Sequence, residues 1–249
     1  MLLTRLGVPK LWGEDHEAVW PFLRRFVSPI VVALAPSYGY GLERVPADGG
    51  GVVAANHLSA IDPPLVGAFC PRPVIFMTKA ELLAIPVAGE LLTWAGAFPV
   101  RRGEGDRESV RQARALARQG HLVGVFVEGT RQRFGHPGRM HPGGVMIAIQ
   151  EGVPIVPCGL YSFGWGLRQR RPCALVWGEP MDLSEYPRSG RGYREAAQIV
   201  GGEITRLWRL AGDAVGGGFP PVLADGSKRS GLVPPTRTRP SRAVAVSAG

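Results

Sequence analysis

Residues 56–62, with the sequence NHLSAID, place a histidine and an aspartate five residues apart, directly behind the apolar run 51–55. Five residues correspond to about 140° around a regular α-helix, so the two side chains can meet only where a strand leads into a loop that turns into a helix. In that geometry Asp62 binds one ring nitrogen of His57 and leaves the other free to take a proton. The pattern therefore predicts a strand, a turn and a helix that carry a general base.

The same segment also has a purely structural interpretation. Ser59 and Asp62 match an S-x-x-D capping box at the start of a helix, in which His57 is only a turn residue. No serine or cysteine is obviously placed as a nucleophile, so the catalytic interpretation requires that a hydroxyl of the substrate attacks. The heptapeptide alone leaves both interpretations open.

Four segments in one order favour the catalytic interpretation. NHLSAID resembles the NHxxxxD motif of the glycerolipid acyltransferases, and GAFPVRR (96–102), FVEGTR (126–131) and VPIVP (153–157) resemble the next three blocks of that family. One departure is Val127, which stands where the family's FPEGTR block has proline. The resemblance covers roughly residues 40–182. It implies an α/β fold of the glycerol-3-phosphate acyltransferase-like type, with a mixed, largely parallel central sheet flanked by helices.

The resemblance also assigns roles to single residues. It implies catalysis by His57 and Asp62, and an acceptor site formed by Arg102, Glu128, Gly129, Thr130 and Arg131. Arginine matches a phosphate monoester bidentately, and Glu128 is expected to bind a free hydroxyl of the acceptor. Because the apolar run 122–127 predicts a strand that ends at Glu128, the third block should lie on the loop behind a strand, where open α/β sheets bind ligands.

The implied reaction moves a fatty acyl group from acyl-CoA or acyl carrier protein to the 2-hydroxyl of 1-acylglycerol-3-phosphate, which gives phosphatidic acid. No cofactor beyond this co-substrate is expected, and no metal, since metal-ligand spacing is absent from the sequence. The motifs specify acyl transfer better than the acceptor, so glycerol-3-phosphate, another lysophospholipid or an amino-acid lipid stays open. A non-catalytic, basic membrane-binding protein is the more distant alternative, and the intact motif residues argue against it.

The chain carries a net charge of +9, and residues 101–140 contain nine arginines against four acidic residues. Such a positive region is expected to face an anionic substrate or an anionic membrane surface. Nucleic acid is the rival partner, but no nucleic-acid-binding motif accompanies the charge. Residues 106–119 repeat arginine at helical spacing, which predicts a helix whose basic face contacts solvent, lipid or coenzyme A.

Residues 21–35 predict an amphipathic helix that begins at Pro21, ends before Pro36 and carries an apolar stripe of Phe22, Phe26, Ile30 and Leu34. About 15 residues are too few to cross a bilayer. The helix therefore lies in the membrane interface, with nearby aromatic residues such as Tyr38 and Tyr40 as anchors, or it packs on the protein core. A lipid-making enzyme has to reach its substrate, which favours the membrane.

Three segments are expected: a membrane-interface segment (1–40), a catalytic domain (41–211) and a disordered basic tail (212–249), in which Gly, Pro, Ser and Arg dominate. The first residues lack the basic and apolar regions of a secretory signal, and the three cysteines occur in apolar context. We therefore expect a reducing compartment and peripheral attachment to the cytoplasmic face of the cell membrane.

Overall fold

A computed structural model describes residues 16–79, 98–100 and 107–230 of the 249-residue chain. The helices in these ranges are α1 (His16–Leu34), α2 (Asp62–Phe69), α3 (Arg107–Arg118), α4 (Gly143–Glu151) and α5 (Gly190–Gly216). The strands are β1 (Ser37–Tyr40), β2 (Gly51–Ala55), β3 (Val74–Lys79), β4 (Phe98–Val100), β5 (Leu122–Phe126), β6 (Ile155–Tyr161), β7 (Cys173–Trp177) and β8 (Arg229–Ser230).

The strands form one mixed sheet in the order β4-β3-β5-β2-β6-β7-β1-β8. Pairing is parallel except for β6 with β7 and β1 with β8. The expected mixed, largely parallel sheet flanked by helices is therefore confirmed. Because β5, β2 and β6 lie side by side and run in one direction, the loops behind their carboxyl ends share one edge of the sheet.

Alternating side chains of the strands divide the core into two layers. Val53 and Ala55 of β2 pack in the layer that α1 and α2 cover, whereas Val52 and Ala54 pack in the layer that α3, α4 and α5 cover. The strands β2, β6 and β7 bury nearly all of their side chains, as expected for a sheet covered on two faces. α5 approaches so closely that a Cβ atom at Gly159 would lie 2.2 Å from the backbone nitrogen of Trp208.

α1 has two different sides. It begins five residues before the predicted start, so Pro21 lies within the helix, and it ends before Pro36 as predicted. Val31 is buried in the core, whereas Phe26 and Ile30 are 56% and 59% exposed. The helix therefore packs on the protein core with one side, and membrane contact through its exposed side stays a prediction. Within the described ranges, no helix is both long and apolar enough to span a bilayer.

The two tyrosines expected as membrane anchors both contact other side chains or backbone of the protein, and one of them is buried. Tyr40 is fully buried, and its hydroxyl donates a hydrogen bond to the Pro220 carbonyl at 3.0 Å. Tyr38 packs against the ring of Phe219 at 4.8 Å and under the guanidinium of Arg229 at 4.9 Å. The prediction that Tyr40 anchors the membrane segment is therefore wrong, because β1 is part of the sheet.

The prediction that the fold ends at residue 211 is also wrong. α5 continues to Gly216, and the chain then returns so that β8 pairs with β1. Leu223 is buried beside Tyr40, and Asp225 lies 3.3 Å from Arg44, which fixes the returning segment. The sequence did not predict this segment, because its composition is rich in Gly and Pro and it forms only a two-residue edge strand. Residues 231–249 lie outside the described ranges.

The basic helix predicted at 106–119 is confirmed as α3, and three of its four arginines form ion pairs, one of them Arg111 with Glu108 in the same helix. Arg114 and Arg118 form ion pairs with Glu151 at the end of α4, whose side chain is 3% exposed. Opposite charges that approach a buried carboxylate favour its ionised form. The pKa of Glu151 is accordingly lowered: burial acts in the opposite direction, but the hydrogen bonds and charges of the two arginines outweigh it.

Candidate active site

The loop behind β2 brings His57 and Asp62 together, as the sequence predicts. Nδ1 of His57 lies 2.8 Å from Oδ2 of Asp62, the first residue of α2. The Asp62 side chain is fully buried, whereas that of His57 is 15% exposed. The carboxylate accepts a hydrogen bond from Nδ1–H, and this tautomer leaves Nε2 as the atom that can take a proton.

Three further donors hold the Asp62 carboxylate. Oδ2 accepts hydrogen bonds from the backbone N–H groups of Leu58 at 2.7 Å and Ser59 at 2.8 Å, and Oδ1 accepts one from the hydroxyl of Ser162. The hydrogen bond from the Ser59 N–H is the one that Asp62 would form in a capping box. The same carboxylate also binds His57, so the structural and the catalytic interpretations of this segment are compatible. Ser162 follows β6, 100 residues away in sequence, and no local pattern could have identified it.

Two other residues that sequence analysis did not single out fix the position of His57. The side chain of Asn56 donates to the Leu160 carbonyl at 2.9 Å and accepts from the Leu160 N–H at 2.7 Å. The ring of His57 stacks on Phe126, with 4.2 Å between centroids and 22° between planes. The histidine is therefore clamped between the ends of β5 and β6. Only Asn56 had a signal in the sequence, because it belongs to the first motif.

Glu128 lies directly behind β5 as predicted, but its environment differs from the expectation. Its side chain is 3% exposed. Oε2 accepts a hydrogen bond from the backbone N–H of His57 at 2.9 Å, and Oε1 accepts one from that of Gly138 at 3.3 Å. Glu128 thus joins the His57 loop to the loop behind β5. A direct contact between this carboxyl and the acceptor stays a prediction.

The burial of Glu128 changes its acidity. Loss of hydration raises the pKa of the carboxyl to about 7, and the nearby negative charge of Asp62 adds to the increase. Hydrogen bonds from backbone N–H groups, including those of Gly138 and His57, act in the opposite direction but are outweighed. A carboxyl that titrates near neutrality inside a site is typical of functional regions.

The loop behind β5 begins with two residues that set its path. The N–H of Val127 donates to the Ala55 carbonyl at 3.0 Å, and its carbonyl accepts from His141 at 2.7 Å. Proline has no N–H, so the family's usual residue could not form the first bond. Gly129 has φ +66°, a left-handed conformation that strains other residues.

The other predicted acceptor residues lie farther along this loop. Thr130 and Arg131 are exposed. The N–H of Gln132 donates to the His57 carbonyl at 2.8 Å, so the loop that carries Arg131 touches the backbone of the histidine. Arg102 lies outside the described residues.

Comparisons with known proteins agree with this geometry. The acyltransferase family model matches residues 38–161. A 1-acyl-sn-glycerol-3-phosphate acyltransferase of Bacillus subtilis is 31% identical over 150 residues, which cover 59% of this chain and 74% of the relative. A lyso-ornithine lipid O-acyltransferase of Pseudomonas aeruginosa is 39% identical over 148 residues, 58% of this chain and 55% of the relative. The chain thus spans about half the length of the Pseudomonas protein.

A solved structure shares the fold. The crystal structure of the 1-acyl-sn-glycerophosphate acyltransferase PlsC from Thermotoga maritima superposes with a TM-score of 0.64 at 23% identity, over 85% of this chain and 86% of that one. Fold and sequence likeness together define the class of enzyme that transfers acyl groups. The chain belongs to the acyltransferase family and is a glycerolipid acyltransferase.

Proposed function

We propose that the protein transfers a fatty acyl group from acyl-CoA or acyl carrier protein to the 2-hydroxyl of 1-acylglycerol-3-phosphate, and so forms phosphatidic acid. The observation that carries this proposal is the His57–Asp62 pair, in which 2.8 Å separate Nδ1 from a fully buried carboxylate. The acceptor is suggested by the activity for which the Bacillus relative is named.

His57 acts as the general base. Nε2 takes the proton of the acceptor's 2-hydroxyl while that oxygen attacks the thioester carbonyl, and Asp62 stabilises the imidazolium that forms. When the tetrahedral intermediate collapses, the carbon–sulfur bond breaks and His57 returns the proton to the leaving thiolate. The products are the ester and a free thiol, and no covalent acyl-enzyme forms.

The remaining residues of the site divide into binding and positioning roles. Arg131 and Arg102 bind the phosphate of the acceptor, since guanidinium groups match phosphate oxygens bidentately. Gly129 and Thr130 shape the loop that presents Arg131. Glu128 and Ser162 act through other residues: Glu128 fixes the backbone of His57, and Ser162 fixes the carboxylate of Asp62.

A second acceptor is favoured by one specific observation. The Pseudomonas relative named for lyso-ornithine lipid is 39% identical, compared with 31% for the Bacillus relative. The His57–Asp62 geometry serves either acceptor, because it acts only on the hydroxyl and the thioester. An amino-acid lipid headgroup therefore has to be tested beside the phosphate headgroup.

We also propose that the enzyme is peripheral to the cytoplasmic face of the membrane, where its lipid acceptor resides. The support is the outer side of α1, on which Phe26 and Ile30 are more than half exposed. Large apolar side chains on one side of a helix lower the free energy of binding to the bilayer interface.

The test offers purified protein acyl-CoA or acyl carrier protein together with a panel of acceptors: 1-acylglycerol-3-phosphate, glycerol-3-phosphate, other lysophospholipids and lyso-ornithine lipid. Products are identified by mass spectrometry. The proposal predicts that kcat/KM is largest for 1-acylglycerol-3-phosphate and that the product is phosphatidic acid. A larger kcat/KM for lyso-ornithine lipid would mean that this lipid is the acceptor, while the acyl-transfer reaction stands. If no acceptor receives an acyl group, both the proposed acceptor and the proposed reaction are wrong.

A further inference from the structure

We propose that the loop between β6 and β7, residues 162–172, is a second membrane-binding element that docks on the headgroups of an anionic bilayer. The inference rests on the membrane attachment proposed above and adds a separate surface to it. The loop has the sequence SFGWGLRQRRP, with three arginines and no acidic residue. No motif of the family falls within it.

Large apolar side chains are exposed on this loop and on its neighbour. Leu167 is 69% exposed and Phe163 is 43% exposed, while Phe134, on the loop behind β5, is 83% exposed. The two loops touch, because a Cβ atom at Gly135 would lie 2.9 Å from the ring of Phe163. Exposed apolar side chains that cluster within a polar rim mark surfaces that bind proteins or membranes.

The charges on the two loops are uncompensated. Six arginines are exposed there, and none forms an ion pair with a carboxylate of the described residues: Arg131, Arg133, Arg139, Arg168, Arg170 and Arg171. Residues 129–142 contain no acidic residue either. On α5, by contrast, Arg191 pairs with Glu195, and Arg206 pairs with Glu203. Arginines without counter-charges beside exposed apolar groups fit a surface that offers phosphate oxygens above hydrocarbon.

The loop 162–172 is hydrogen-bonded both to α1 and to the Asp62 carboxylate. Docking of the loop on a membrane would therefore orient this helix and the active site. The indole N–H of Trp165 donates to the Leu34 carbonyl at the end of α1, at 3.1 Å. The loop therefore lies against the end of α1, the helix that exposes Phe26 and Ile30. Ser162, at its root, donates to the Asp62 carboxylate. Docking of this loop would hold His57, whose side chain is 15% exposed, near the headgroups, where the acceptor lies.

An acidic carrier protein is the other class of partner that could bind exposed arginines. The exposed Leu167 and Phe134, and the hydrogen bond to the end of α1, favour the membrane. A carrier protein would be recognised chiefly by charge, and its binding would not require apolar side chains at the tip of the loop.

The test measures co-sedimentation of the full chain with vesicles of phosphatidylcholine alone and of phosphatidylcholine mixed with phosphatidylglycerol. The variants are Arg168→Gln with Arg170→Gln, and separately Leu167→Ser. Matched controls on the opposite face of the sheet are Arg188→Gln with Arg194→Gln, and Ile199→Ser, which is 54% exposed. Melting temperatures and turnover on a short-chain, water-soluble acceptor are recorded for all variants.

We expect the double arginine variant to bind the anionic vesicles about 30-fold more weakly, since each arginine near such a surface contributes about fivefold. Leu167→Ser should weaken binding to both vesicle types. The controls should bind like the wild type, and all variants should keep wild-type turnover on the soluble acceptor. Wild-type vesicle binding in both loop variants would overturn the proposal. A rise in KM for acyl carrier protein alone would also overturn it, in favour of a carrier-protein site.

The same measurements separate this inference from the proposed function. If vesicle binding is lost only when Phe26 and Ile30 are substituted, the protein attaches to the membrane through α1, and the proposed role of the loop 162–172 is wrong. Absence of vesicle binding in the wild type would reject both membrane surfaces. Failure of the acceptor assay would reject the proposed reaction without affecting the vesicle result.

Discussion

The loop around His57 and the outer side of α1 belong to the same half of the molecule but are built in opposite ways. The loop is buried, and four donors converge on the Asp62 carboxylate. The outer side of α1 exposes Phe26 and Ile30, while Val31 on the other side packs in the core. The first region fixes a proton-transfer geometry, and the second provides apolar contact area. Chemistry and membrane contact are therefore predicted to be separable by substitution.

Substitution of Asp62 should break the chemistry without changing vesicle binding. Asp62→Asn keeps the size of the side chain but removes the charge that fixes the His57 tautomer, so turnover should fall by ~10² to 10⁴-fold. Steady-state kinetics and vesicle co-sedimentation of the same preparation measure both properties. Asp213→Asn, at an exposed position of α5, is the control. Turnover within a few-fold of the wild type would show that Asp62 has no role in proton transfer.

The burial of Glu128 should appear in the pH dependence of stability. The folded protein raises the pKa of this carboxyl from 4.5 to about 7, so it holds a proton that the unfolded chain releases. The contribution of Glu128 to the free energy of unfolding is therefore fully present below pH 4.5 and is lost as the pH rises to about 7. The loss is about 3 kcal/mol.

Glu128→Gln removes this titration, so the difference in unfolding free energy between wild type and variant should change across that pH window. Urea unfolding at a series of pH values measures it. Glu179→Gln, at a side chain that is 75% exposed, is the matched control. Parallel pH curves for the wild type and Glu128→Gln would contradict a strongly raised pKa.

Truncation of Arg131 should separate acceptor binding from chemistry within the first region. Arg131→Ala should weaken binding of the phosphorylated acceptor by about 1.5 to 3 kcal/mol, the free energy of a charge-assisted hydrogen bond to phosphate. KM for the acyl donor should change little. Arg188→Ala, an exposed arginine on the opposite face, is the control, and Arg102→Ala tests the second proposed phosphate ligand. An unchanged acceptor KM in both Arg102→Ala and Arg131→Ala would reject the phosphate role.

Substitution on α1 should give the converse result. Phe26 and Ile30 are already more than half exposed, so changing both to Ser should remove about 2 kcal/mol of interfacial binding and weaken vesicle affinity about 30-fold. Turnover on a water-soluble acceptor should persist. Val31→Ser, on the buried side, should instead lower the melting temperature. If the Phe26 and Ile30 variant loses stability and keeps its vesicle binding, the outer side of α1 belongs to the core.

Local sequence predicted the central elements closely. The apolar runs at 51–55 and 122–127 became β2 and β5, and 106–119 became α3, within one residue at each end. His57 and Asp62 meet because a strand, a loop and a helix follow each other, which the five-residue spacing already required. In these cases the information lies within one short segment.

Contacts between distant segments were not predicted. Ser162 meets Asp62 only because β6 lies beside β2 in the sheet, and Phe126 meets His57 only because β5 lies on the other side. The motif identified Glu128 but not its burial, which depends on how residues 129–142 fold over it. Periodicity found an apolar stripe on α1 but could not predict that Phe26, which belongs to this stripe, is exposed while Val31 packs in the core.

The central claim is that Nε2 of His57 takes the acceptor's proton, and the most direct measurement is the turnover of His57→Ala with saturating donor and acceptor. The account predicts a fall of ~10² to 10⁴-fold, an unchanged melting temperature and unchanged vesicle binding, because the side chain is removed while the loop stays held through Asn56 and Asp62. Turnover close to that of the wild type, in a variant that melts at the wild-type temperature, would contradict it.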